Sequence, residues 1–195
     1  MDAFRRSFAN GYGIETDIRD LSGKIVISHD VPLGCHVSLQ ELLNEATHKS
    51  LYQPVTLALN IKSDGLLSLL EMEVRRHASL SVDCFVFDMS VPDMRSYLNS
   101  NFSVFTRLSD AEPVPAWFNL AAGVWLDAFE CEWYSLDDVR NLLASGKRVC
   151  IVSPELHGRS HHALWARLKP IWNNPALMLC TDYPDEALAY FTSTT

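Results

Sequence analysis

The sequence lacks the features that would place a protein in a membrane or on a polyanion. It contains no apolar run long enough to span a bilayer and no signal-peptide pattern at its start. Acidic residues outnumber basic ones, 24 against 16, for a net charge of -8. No basic stripe is available to displace the counterions of a nucleic acid. We therefore expect a cytoplasmic protein that binds neither nucleic acid nor an anionic membrane surface.

The sequence also lacks a disulfide or zinc-finger pattern. Its five cysteines are an odd number and show no Cys-x-x-Cys spacing. Cys84, Cys150 and Cys180 lie in apolar, strand-like runs. We interpret the cysteines as buried free thiols.

No low-complexity linker divides the chain. With 195 residues, 48% of them hydrophobic and 21% charged, the chain can bury a sizeable core. We predict a single globular domain over residues 1–195.

Apolar runs typical of strands alternate with helical patterns to the end of the chain. A helix is predicted at residues 2–11, and a hairpin strand at Ile25 follows the first main strand. The main strands begin at Gly13, Val55, Cys84, Ser103, Gly123, Arg148 and Ala176. This alternation predicts an α/β fold with a mostly parallel sheet and crossover helices.

Polar side chains stand at the end of each main strand. They are Glu15 and Asp17, Asn60 and Lys62, Asp88, Arg107, Asp127, Glu155, and Asp182. A doubly wound sheet and a closed barrel both satisfy the alternation of strands and helices. A TIM-barrel-like (β/α)₈ fold is favoured, because such a barrel gathers all these strand ends around one mouth.

The acidic pair Glu15 and Asp17 is the most informative local pattern. Residues two apart on a strand point to the same face, and a second short strand ends at His29. Surface strands also alternate apolar and charged residues for solubility alone. The recurrence of polar strand ends favours the functional interpretation of the pair.

Four segments, taken in order, resemble a known family. They are Glu15-Thr16-Asp17, Ser28-His29-Asp30, Asn60-Ile61-Lys62 and Thr181-Asp182-Tyr183-Pro184-Asp185-Glu186-Ala187. Together they resemble the glycerophosphodiester phosphodiesterase family, within the superfamily of phosphatidylinositol-phospholipase-C-like phosphodiesterases. The resemblance runs from the first helix to the last and implies a (β/α)₈ barrel.

The resemblance also implies roles for individual residues. Glu15 and Asp17 match the family's metal ligands, and His29 matches a catalytic histidine. Asn60 stands where relatives carry a third acidic ligand, and Lys62 matches their lysine. The implied cofactor is Mg²⁺ or Ca²⁺, because both ions prefer oxygen ligands. Asn60 brings an oxygen without charge, so we expect weaker binding of the metal.

The chain departs from the family at its amino terminus. Relatives begin with a strand ending in His-Arg-Gly, which supplies a second catalytic histidine, whereas this chain starts in the helix that follows. We expect either a protein that begins further upstream or a barrel without its first strand. A missing strand would leave unpaired edges, which predicts a homodimer formed through that gap.

For other polar residues the sequence allows both a functional and a structural role. Arg107 is a candidate for neutralising charge on the phosphoryl oxygens, and Glu155 and His157 either line the site or cap the next helix. Asp88 and Asp127 either join the site or satisfy loop amides. Adjacent residues on a helix diverge, so His161 and His162 are interpreted as solvated helix-start residues rather than metal ligands.

The function that the resemblance implies is metal-dependent hydrolysis of a small glycerophosphodiester-like molecule, in lipid or surface-polymer metabolism. A phosphodiester repels nucleophiles, so its hydrolysis needs a cation, a proton acceptor and a proton donor. The alternative is a weakly active or non-catalytic barrel that binds a phosphorylated ligand or a partner protein.

Overall fold

The computed structural model describes residues 1–49, 55–77 and 82–193. The chain forms two compact units, Met1–Val104 and Phe105–Thr195. A single domain over residues 1–195 therefore stays a prediction. None of the helices in the described ranges is both long and apolar enough to cross a membrane.

Helices and strands alternate through the first unit. Its elements are α1 (Asp2–Ala9), β1 (Ile14–Leu21), β2 (Lys24–Ile27), α2 (Leu39–Lys49), β3 (Val55–Ile61), α3 (Leu67–Arg76), β4 (Val82–Phe87), α4 (Val91–Leu98) and the start of β5 (Ser103–Leu108). Strand β3 is buried at every position except Thr56. Near-continuous burial is typical of a parallel strand with both faces covered.

The same alternation continues in the second unit. After the rest of β5 come β6 (Gly123–Leu126), α5 (Leu136–Ala144), β7 (Arg148–Val152), α6 (His162–Leu168), β8 (Leu177–Cys180) and α7 (Pro184–Thr192). Its core joins strands β6 and β7 to helices α6 and α7 through Val124, Leu126, Val149, Ile151, Leu164, Trp165, Leu168 and Phe191. Gly123 starts β6 against the ring of Phe105, where a Cβ would lie 2.5 Å from ring carbons, so the position requires glycine.

In the first unit the strands follow the order β2-β1-β3-β4-β5, and in the second they follow the order β5-β6-β7-β8. Strand β2 runs antiparallel to β1, and each other neighbouring pair is parallel. Within residues 1–49, 55–77 and 82–193, seven main strands and one hairpin strand confirm the prediction from the sequence, with bounds that differ by a residue or two. The expected loss of a first strand stays a prediction.

Local sequence explains the turns and the helix starts. Leu21 pairs with Lys24 across a loop of Ser22 and Gly23, whose φ values of 50° and 78° suit the tight turn of a twisted hairpin. At the start of α2 the hydroxyl and backbone N–H of Ser38 donate to the Glu41 carboxylate at 2.7 and 2.8 Å. These contacts satisfy polar groups that a helix start leaves unpaired.

The cysteines are free thiols, as predicted, but they are not all buried. Cys150 is buried and Cys84 and Cys180 are half-buried, whereas Cys35 and Cys131 are exposed. Burial raises the pKa of the Cys84 thiol to about 12. The prediction of burial was wrong for Cys35 and Cys131, because both lie in loops rather than in strands.

Candidate active site

Strand β1 presents the carboxylates of Glu15 and Asp17 on one face. The alternate residues Thr16 and Ile18 are buried, while Glu15 and Asp17 are half-buried. This period of two is the pattern of a strand with one covered face. The two acidic side chains therefore leave the backbone together, as the sequence predicted.

The parallel register between β1 and β3 adds two further polar side chains. Asp17 pairs with Asn60, and Lys62 donates its backbone N–H to the Ile18 carbonyl at 3.0 Å. The ammonium nitrogen of Lys62 lies 3.3 Å from Asp17 Oδ1. The structure thus brings Glu15, Asp17, Asn60 and Lys62 to the same end of two neighbouring strands.

Glu15 is the most perturbed acid of this group. Its pKa is raised from 4.5 to about 7, first by burial and then by the negative charge of Asp17. The charge of Lys62 and a hydrogen bond from the Asn60 amide act in the opposite direction. The neighbouring side chains therefore supply too little positive charge to keep the pKa of Glu15 at its usual value. A bound cation would stabilise the ionised form of Glu15.

Two oxygen atoms beside Glu15 are buried without a hydrogen-bond donor. They are Asp17 Oδ1 and Asn60 Oδ1, and neither has a hydrogen-bond partner among the residues that the structure describes. Lys62 is near Asp17 Oδ1, but the contact is an ion pair without hydrogen-bond geometry. Unsatisfied buried acceptors are rare and call for an explanation. A hard cation such as Mg²⁺ or Ca²⁺ fits these oxygens, because both ions bind carboxylate and amide oxygens.

Asp88 is a third acidic residue within electrostatic reach of Glu15. It follows the last residue of β4, and its charge contributes to the raised pKa of Glu15. Its φ of 65° is a left-handed backbone conformation that is uncommon outside glycine. Such conformations concentrate at functional sites. The position of Asp88 at a strand end was the only sequence signal for it.

His29 lies just beyond strand β2, on a loop tied to β1. The Ser28 N–H donates to the Asp17 carbonyl at 3.1 Å, and Arg19 Nε donates to the His29 carbonyl at 3.0 Å. The imidazole is 75% exposed, with Nδ1 3.0 Å from Asp30 Oδ1. Within the described residues it makes no hydrogen bond or ion pair with the side chains of Glu15, Asp17 or Lys62.

A solved structure with this fold is known. The glycerophosphodiester phosphodiesterase from Parabacteroides distasonis ATCC 8503 matches the chain with a TM-score of 0.69 and 16% sequence identity, over 97% of this chain and 88% of that chain. The two proteins share a fold. The expected α/β, TIM-barrel-like class is therefore confirmed.

A second likeness is weaker. PLC21 from L. pealei matches with a TM-score of 0.45 and 11% identity, over 89% of this chain and 25% of that chain. No family model matches the sequence, and no curated protein matches it either.

Arg107, in the second unit, is held by carboxylates. Its Nη1 lies 3.2 Å from Asp127 Oδ2 and its Nε 3.5 Å from Glu112 Oε2, and its guanidinium stands over the Phe129 ring. Asp127 is buried and also accepts a hydrogen bond from His157 Nε2 at 2.7 Å. These contacts give Arg107 a structural partner, and its binding of substrate stays a prediction.

Glu155 joins the ends of strands β7 and β8. Its carboxylate accepts hydrogen bonds from the hydroxyls of Ser153 and Thr181, and from the Asp182 N–H at 3.3 Å. This network favours a structural role. Binding of substrate by Glu155 stays a prediction.

The interpretation of His161 as solvated was wrong. His161 is 7% exposed, because its ring packs against Trp165 with the ring centroids 3.9 Å apart. His162 is exposed, as expected. Although adjacent side chains on a helix point in different directions, the rings of His161 and His162 lie close together, with centroids 4.3 Å apart.

Proposed function

We propose that this protein hydrolyses a small phosphodiester of the glycerophosphodiester class, with a divalent cation held by Glu15, Asp17 and Asn60. The observation that carries the proposal is the pair of buried oxygens, Asp17 Oδ1 and Asn60 Oδ1, that lack hydrogen-bond donors within the described residues. They lie beside a glutamate whose pKa is raised to about 7. The shared fold with a glycerophosphodiester phosphodiesterase supports the proposal.

The donor set favours Mg²⁺ or Ca²⁺ over a softer metal. Glu15, Asp17 and Asn60 offer only oxygen atoms, and Asp88 adds a further carboxylate nearby. When bound, the cation supplies positive charge for the nonbridging oxygens of the phosphodiester. The negative charge of Asp88 compensates for the neutral Asn60, which stands where relatives carry an acidic ligand.

Lys62 and His29 have the remaining chemical roles. The Lys62 ammonium lies 3.3 Å from Asp17 Oδ1 and adds positive charge where the phosphoryl oxygens develop negative charge. His29 exchanges a proton with the attacking or leaving oxygen, since an imidazole titrates near neutral pH. Its exposed ring has room to turn from Asp30 toward a bound substrate.

The test is hydrolysis of bis(p-nitrophenyl) phosphate and of a glycerophosphodiester, with Mg²⁺ or Ca²⁺ and then with EDTA. Glu15→Gln and Asp17→Asn should reduce turnover to background because they remove the charge that holds the cation. Asp20→Asn is the matched control, as Asp20 is an exposed acid on the same strand. Turnover that survives both EDTA and Asp17→Asn would refute the metal assignment.

His29 is tested separately. His29→Gln should lower kcat by about 10² to 10⁴, the usual contribution of a general acid or base. His36→Gln is the matched control, because the His36 ring bonds the Leu33 carbonyl and takes no part in the proposed chemistry. Equal kcat values for His29→Gln and the parent would remove His29 from the mechanism.

A second candidate function is binding of a phosphorylated ligand or partner protein without turnover. The observation that favours it is the His29 ring, which is exposed and contacts Asp30 rather than the carboxylates of β1. Calorimetry with glycerol phosphate in the presence of Ca²⁺ separates the candidates. Binding that requires Asp17, together with no hydrolysis of any tested diester, would favour the binding function. A cytoplasmic location and a role in lipid metabolism remain part of the proposal.

A further inference from the structure

Three potential metal ligands converge in the second unit, on residues that the proposed hydrolysis does not use. They are His161, His162 and Glu186, and one ligand atom from each lies within 4.8 Å of the other two. His161 immediately precedes α6, and Glu186 lies in the first turn of α7. The cluster consists of side chains from two elements and does not depend on the backbone N–H groups of either helix.

The His161 ring is fixed in position by its surroundings. The ring packs against Trp165 at an interplanar angle of 35°, and the Trp165 indole N–H donates to Ser153 Oγ at 2.9 Å. Nε2 of the ring lies 3.3 Å from Glu186 Oε1, and Nδ1 lies 3.8 Å from Glu155 Oε2. The imidazole therefore has one nitrogen toward each of two carboxylates.

The two carboxylates differ in what holds them. The Glu155 side chain is 6% exposed and accepts hydrogen bonds from Ser153, Thr181 and the Asp182 N–H. Glu186 is exposed, and its Oε1 lies 3.3 Å from His161 Nε2. Metal-bound histidines commonly present their second nitrogen to a fixed carboxylate, which orients the ring and makes it a better ligand. Glu155 is the fixed carboxylate that faces the second nitrogen of His161, Nδ1. Glu186 faces the other nitrogen, Nε2, and is placed to bind the metal itself.

His162 supplies the third ligand. Its ring meets the His161 ring edge to face, with centroids 4.3 Å apart, and it is exposed to solvent. Two imidazoles and one carboxylate match the preference of Zn²⁺ and neighbouring transition metals, whereas Mg²⁺ and Ca²⁺ prefer oxygen ligands alone. His162 and Glu186 are both exposed, so their side chains are free of the packing that fixes His161.

We propose that His161, His162 and Glu186 bind a divalent transition-metal ion such as Zn²⁺, with Glu155 orienting His161. Three protein ligands leave a coordination position open to water or to an added ligand. The donors differ in kind from the oxygen set of Glu15, Asp17 and Asn60, so the two sites are distinguishable by their spectra and by their response to substitution.

The test is calorimetric titration of the full chain with Zn²⁺, with Cu²⁺ electron paramagnetic resonance to identify the ligands. All proteins compared carry Cys35→Ser and Cys131→Ser, because these exposed thiols could take up either metal. His162→Gln and Glu186→Gln change exposed side chains, so both variants should fold. The matched controls are His36→Gln and Asp185→Asn, which remove an imidazole and a neighbouring charge outside the cluster.

The expected result is one Zn²⁺ ion bound per chain, with binding weakened by about 100-fold or more in His162→Gln and in Glu186→Gln. The controls and Glu15→Gln should bind Zn²⁺ as the parent does. The Cu²⁺ spectrum of the parent should show coupling to imidazole nitrogen that diminishes in His162→Gln. Absence of Zn²⁺ binding by the parent, or binding by His162→Gln or Glu186→Gln that is as tight as binding by the parent, would overturn the proposal.

Discussion

Replacing Glu15 by glutamine should stabilise the metal-free protein at alkaline pH. Burial and the charge of Asp17 raise the pKa of Glu15 from 4.5 to about 7 in the folded state. The folded protein therefore binds more protons than the unfolded chain between these two values. By linkage, stability is highest below 4.5 and falls as the pH rises through about 7.

The magnitude follows from the same two pKa values. Their difference corresponds to about 3 kcal/mol of destabilisation once Glu15 is ionised in both states. Glutamine has the shape of the protonated acid and can still accept the hydrogen bond from Asn60. At pH 8 in EDTA, Glu15→Gln should therefore be more stable than the parent by about 3 kcal/mol. At pH 4 the two proteins should be equally stable.

Urea unfolding followed by tryptophan fluorescence, at a series of pH values from 4 to 8, measures this difference. Glu130→Gln is the control, since Glu130 is exposed and its replacement should change stability by less than about 0.5 kcal/mol at every pH. A second arm adds Ca²⁺ at pH 8, which should stabilise the parent and leave Glu15→Gln unchanged. A difference between parent and variant that does not vary with pH would refute the reasoning.

Three further expectations concern stability and assembly. Asp127→Ala should cost about 3 to 5 kcal/mol in urea unfolding, because it leaves Arg107 and His157 without their buried carboxylate; a cost under about 1 kcal/mol would contradict this. Ser135→Ala should cost about 1 kcal/mol, since the Ser135 hydroxyl accepts from the Asp138 N–H at 3.2 Å, and an unchanged melting temperature would argue against the cap. The protein should elute as a homodimer in size-exclusion chromatography, and elution as a monomer at all concentrations would disprove the predicted dimer.

The local pattern was sufficient for the elements and for part of the site. Period-two alternation around Thr16 and Ile18 located β1 and put Glu15 and Asp17 on one face. The apolar run of β3 placed Asn60 at a neighbouring strand end, which the parallel register confirms. Such features depend on contacts between residues close in sequence or on the general geometry of parallel strands, so one sequence can reveal them.

Long-range contacts decided what the other polar residues do. Arg107 meets Asp127 across 20 positions, and Glu155 meets Thr181 across 26. No periodicity in the chain encodes such pairs, because they arise only when β5 lies beside β6 and β7 beside β8. Their position at strand ends therefore indicated that Arg107 and Glu155 were of interest. It did not indicate whether each residue has a structural role or binds a ligand.

His161 shows most clearly what the sequence alone could not predict. Helical geometry separates adjacent side chains, and from the sequence alone both histidines were expected to face solvent. Packing on Trp165 instead buries His161 between carboxylates from two other segments. The sequence determined where strands, helices and acidic pairs occur, since those depend on local spacing. Only the tertiary structure decided which polar groups are buried together, because burial depends on neighbours that the fold brings from far along the chain.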